Sequence, residues 1–157
     1  MVRGLILGAA LLALPAHGMA ESRFLTSKVL EHVQAATAAC AGHVADGQDM
    51  AVLEARGFDR DLRDWVWDTR MHGLDEKLAV TASAESGKCK VSISHATRAD
   101  SKRLNEEMAA SFVRLGFADG GQSSKRSLTR GDLALRLDGH LHKLSDVQSA
   151  SVTVSTR

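Results

Sequence analysis

The 157-residue sequence contains two thiols, Cys40 and Cys89, and they are its first candidates for chemistry. A redox pair usually sits in a CxxC motif, and a zinc site needs neighbouring ligands; these two have neither. The simplest use of a lone pair in an oxidising compartment is a structural disulfide. Closing a loop of this length stabilises a fold by up to about 4 kcal/mol on chain-entropy grounds.

His140 and His142 come next. Separated by one residue, they point the same way on a strand, and His95 on another strand offers a third imidazole for a metal-dependent enzyme. Structural zinc needs four ligands and copper sites add cysteine or methionine, neither of which is supplied by spacing here. The default reading is an exposed histidine pair beside a turn, with no metal and no cofactor. Trp65 and Trp67, at a period of two, place both indoles on one face of a strand. Turned away from the helices they form a binding patch for a protein or a small apolar ligand; turned toward them they join the core.

Other chemistry is not signalled. There is no GxSxG elbow for acyl transfer and no glycine-rich phosphate loop. The carboxylate pairs Asp75-Glu76 and Glu106-Glu107 are sequence neighbours, which point in different directions on a helix or strand. Arg130-Gly131-Asp132 is explained by turn chemistry alone. The expectation is therefore a protein that is not an enzyme.

Compartment is easier to read. MVRGLILGAALLALPAHGMA carries a cation at Arg3, an apolar run from Leu5 to Leu14, a breaker at Pro15 and small residues Gly18 and Ala20. That is the layout of a secretory signal peptide cleaved after Ala20. The run is too short for a permanent span, which needs roughly 20 apolar residues, so the mature form is expected to have no membrane anchor and to be periplasmic or secreted. Removing the leader takes away one cation and no acid, leaving equal numbers of each, interspersed along the chain. Such a balance gives no reason to expect nucleic acid as a partner.

Residues 21–157 suffice for one domain with a real core. Leu25, Val29, Val33, Ala36 and Cys40 recur at helical spacing, which predicts a helix over 26–41, capped by Thr26 or Ser27 and ended by Gly42. A short helix is predicted over 49–56 and a longer one over 101–115 with Asp100 as its cap. Both finish in Gly-Phe, at Gly57-Phe58 and Gly116-Phe117, the signature of a Schellman ending.

Strands are predicted over 64–70, over the two arms of a hairpin from Leu78 to Ala96 turning at Ser86-Gly87, and over 125–129, 132–140 and 147–156. Leu78, Val80, Ala82 and Ala84 share one face of the first arm, and Cys89, Val91 and Ile93 share one face of the second. Thr81, Ser83, Lys90, Ser92 and Ser94 lie opposite. An ungapped offset of 59 residues lays 48–98 on 107–157 and matches Gly57-Phe58, Leu74, Leu78, Ser92 and Thr97-Arg98 with their counterparts. This points to an internal duplication, each half a helix followed by strands.

The fold class is α+β: an antiparallel sheet of about six strands, two main helices on one face and one disulfide. The expected role is an exported, non-enzymatic domain that binds a protein or a small apolar ligand. The alternatives are a periplasmic inhibitor or immunity-type protein and a metal-dependent enzyme using His95, His140 and His142. One outcome is expected at once: the exported protein, denatured without reductant, shows no thiol by Ellman titration, whereas two thiols would refute the disulfide.

Overall fold

The computed structural model describes residues 25–70, 77–96, 98–120, 126–141 and 148–157. The signal-peptide reading, Leu74, the Asp75-Glu76 pair and His142 lie outside these.

Helix α1 (Ser27–Asp46) opens where the Thr26 side chain accepts the Val29 amide at 3.3 Å. It runs past Gly42, the predicted stop, and ends at Gly47, whose φ of 67° is the left-handed value. A glycine inside a helix lowers its stability without ending it. A 3₁₀ segment (Met50–Arg56) follows, capped by Asp49. The second long helix, α2 (Arg98–Arg114), starts earlier than Asp100, which sits buried in its first turn.

The strands are β1 (Asp59–Asp61), β2 (Asp64–Arg70), β3 (Lys77–Glu85), β4 (Lys88–Ala96), β5 (Ala118–Asp119), β6 (Arg126–Arg130), β7 (Leu133–Leu141) and β8 (Gln148–Thr156). Eight strands replace the expected six, because β1 and β5 were not legible. Both are very short and wholly exposed, so neither has the alternation that marks a strand. All eight form a single antiparallel sheet in the order β1-β2-β3-β4-β8-β7-β6-β5.

That order runs outward from the β4–β8 pair as two sets of four strands, each in reverse chain order from the centre. The last strands of the two halves, β4 and β8, lie side by side at the centre, with Ser92 paired to Ser151. Those two serines are equivalent at the offset of 59, so the local two-fold axis passes between them. Both helix endings repeat bond for bond. Gly57 and Phe58 donate to Glu54 and Leu53 at 2.9 and 3.2 Å, and Gly116 and Phe117 donate to Val113 and Phe112 at 3.0 and 3.0 Å. The offset slips by two residues between β3 and β7, where Thr81 and Asp138 flank the central serine pair. The connection from β7 to β8 is longer than the Ser86-Gly87 turn, which accounts for the slip.

The core occupies one side of the sheet. Val80, Ala82, Cys89, Val91, Leu135, Leu137, Ala150, Val152 and Val154 are all essentially sealed from solvent beneath the helices. Helix α1 lies across β3, β4, β8 and β7, and α2 lies across β6, β7 and β8. The Cys40–Cys89 disulfide joins the last part of α1 to β4, with both sulfurs buried. At the far edge, Arg126 grips both carboxylate oxygens of Asp119 and ties β6 to β5. The charge-assisted bonds to Asp119 hold the Arg126 guanidinium pKa above its ordinary value.

Phe58 and Phe117 are buried, and Phe117 meets Phe112 edge-on with ring centroids 5.3 Å apart. Nothing stands within 4 Å of a Cβ built on Gly116, whose φ is 86°. Gly116→Ala should therefore cost only the left-handed penalty of about 1 kcal/mol. Phe117→Ala should cost about 3 to 5 kcal/mol. Chemical denaturation of the two variants checks the order, and equal losses would show that the ring does not seal the helix end.

Candidate binding surface

The sequence-derived site residues separate into three groups. The cysteines are joined. The tryptophans are in the core: Trp65 is 6 % exposed and Trp67 7 %, both on the helix side of β2. The condition for an aromatic binding patch is thus not met. The reason is local packing, since Trp67 stacks on His32 of α1 with centroids 3.8 Å apart and planes 20° from parallel. Lys28 caps the same indole at 5.7 Å, and Arg60 lies over Trp65 at 5.9 Å. Facing helices make the period-two indoles a wall of the core.

Of the three histidines, His95 and His140 lie within the described residues. His140 pairs with Ser149 of β8, and Ala96, next to His95, pairs with Gln148. His95 and His140 therefore sit at the same end of the sheet on strands separated by β8, their backbones about 10 Å apart at a strand spacing of about 4.8 Å. Among the described residues no three metal-ligating side chains come together.

Among the described residues two surfaces offer room for a partner or ligand. The first is an open cleft of about 260 Å³ between α1 and the 3₁₀ segment, lined by Glu31, His32, Ala35, Ala55 and Arg56. The His32 Nδ1–H donates to the Lys28 carbonyl at 2.7 Å, fixing the ring against Trp67. No thiol, hydroxyl or amine side chain lines this cleft.

The second is the side of the sheet that no helix covers among the described residues. Alternation places Thr81 and Ser83 of β3, Lys90, Ser92 and Ser94 of β4, and Ser151, Thr153 and Ser155 of β8 on it. Most are half-exposed, as expected of side chains standing up from a sheet in close ranks. The face continues to Arg136 on β7, and to Asp64, Val66 and Asp68 on β2, opposite the buried tryptophans. Asp59 and Asp61 of β1 are paired with Val66 and Asp64 and share their side. Hydroxyls thus fill the middle around Lys90, aspartates hold the β1–β2 edge, and Arg136 and Asp138 occupy the same-face positions of β7. The Ala79 amide donates to Ser94 Oγ at 2.8 Å, so part of this hydroxyl layer also braces the β3 edge of the hairpin.

Sequence alternation had placed Thr81, Ser83, Lys90, Ser92 and Ser94 on this side. What it missed is their continuation across β8 and β7, since pairing between distant strands leaves no local signal.

No family model, curated protein or solved structure matches this chain. The placement of the tryptophans has a direct consequence for stability. Trp67→Ala should destabilise the fold by about 3 to 5 kcal/mol, as a buried aromatic does. An unchanged denaturation midpoint would return Trp67 to the surface and reopen the aromatic patch.

Proposed function

We propose that this chain is an exported, non-enzymatic binding domain whose contact surface is the helix-free face of its sheet. The observation that carries the reading is the difference between the two faces. One is sealed by α1 and α2, while the other is an extended array of hydroxyl and charged side chains spread over at least six strands. A flat polar array suits a macromolecular partner better than a small apolar ligand, which needs a concave apolar site. Contact is therefore with the polar surface of a protein, through hydrogen bonds and charge complementarity. Export rests on the leader and agrees with a disulfide, which persists in oxidising compartments.

The test is cross-linking in the exported fraction. Ser83→Arg and Ser92→Arg place bulk and charge on the open face, and Glu54→Arg places the same change on the exposed helix side. The adduct formed by the wild-type chain should disappear in the two serine variants and persist in Glu54→Arg. No adduct, or equal loss in all three, would overturn the proposal.

A further inference from the structure

We infer that the partner of the open face is a second copy of this chain, the two sheets meeting about a two-fold axis along β3. The inference rests on reading that face as the contact surface. Its basis is one row of side chains running across the strands in the order Asp61, Asp64, Ser83, Lys90, Thr153 and Arg136. Directly paired residues share a face, so the row is acidic at the β1–β2 end and cationic from β4 onward. Ser83 stands midway between Asp64 and Lys90, one strand from each.

A half-turn about β3 carries β2 of one copy over β4 of the other. Asp64 of each copy then stands over Lys90 of its mate, with the two Ser83 residues on the axis. Packed sheets lie about 10 Å apart, a gap that facing aspartate and lysine side chains together bridge. Each contact occurs twice and closes on itself, as a self-complementary two-fold interface requires.

The monomer also supplies a reason for the contact. Asp61 and Asp64 are direct cross-strand partners, and like charges so placed destabilise a sheet. A lysine brought over them offsets that repulsion. Lys90 is exposed and Asp64 half-exposed, so both are available to a facing sheet.

Sedimentation velocity on the purified exported chain tests this. At low ionic strength the wild type should dimerise reversibly, and in 1 M salt, where the screening length is about 3 Å, it should dissociate. Asp64→Lys and Lys90→Glu each create two like-charge contacts per dimer and should weaken association at least tenfold. The double variant Asp64→Lys with Lys90→Glu restores both pairs with their signs exchanged and should dimerise again. Restoration is specific to self-association, because a foreign partner would meet two wrong charges. Thermal unfolding of each variant establishes that loss of dimer is not loss of fold. A wild type that stays monomeric at its highest soluble concentration, or a double variant as weak as the single ones, overturns the inference. A monomer whose adduct with another protein is lost in Ser83→Arg leaves the contact face standing without the second copy; a monomer with no adduct removes both.

Discussion

The pairing of β4 with β8 is the interaction on which the rest of the molecule depends. Each half ends in a nine-residue strand with one apolar face. Alone, either would be a long hydrophobic edge, the kind that recruits further strands and aggregates. Laid against each other they consume both edges, and the sheet terminates instead in β1 and β5, of three and two residues. Ser92 and Ser151 pair at its centre.

The same seam fixes the helices. Small side chains collect where α1 crosses it: Ala36 and Cys40 from the helix, Ala82, Cys89 and Ala150 from the sheet, all buried. With little bulk between them the backbones approach closely, and the disulfide makes that approach permanent in the oxidised protein. The larger side chains flank the crossing. Trp67 and Phe58 pack on His32 of α1 at one outer corner, while Phe117 meets Phe112 at the end of α2 at the other. Both clusters end at a left-handed glycine whose following phenylalanine folds back, so each half closes its outer corner by the same device.

Much of this was legible in the sequence because the signals are local. Alternation marked the hairpin from Leu78 to Ala96, spacing by three and four marked α1 and α2, and Gly-Phe marked two helix ends. Two lone cysteines left one sensible pairing. What escaped depends on distant neighbours. Strands β1 and β5 exist only because β2 and β6 offer them an edge, and DRD has no apolar residue to announce a strand. Gly42 looked like a helix stop because propensity was read without the packing of Ala41 and Cys40 that carries α1 onward. The tryptophans were ambiguous for the same reason: a period of two states that they share a face, and only the position of α1 states which face is inside.

The short edges also bear on how a partner is met. Addition of a strand to a sheet edge uses main-chain hydrogen bonds over several residues, and β1 and β5 present three and two. Recognition through side chains on the open face is the route this architecture favours. Serine and threonine there satisfy two demands together: they fit the pleat and they keep the face hydrated, so the monomer does not expose an apolar sheet. Hydroxyls alone give little discrimination, since each exchanges a bond to water for a bond to the partner at small net gain. Selectivity in the proposed contact therefore falls to the few fixed charges beside β3. In the proposed dimer that discrimination comes from Asp64 and Lys90, which stand one strand to either side of β3 and so meet their opposites when the sheet is turned on itself.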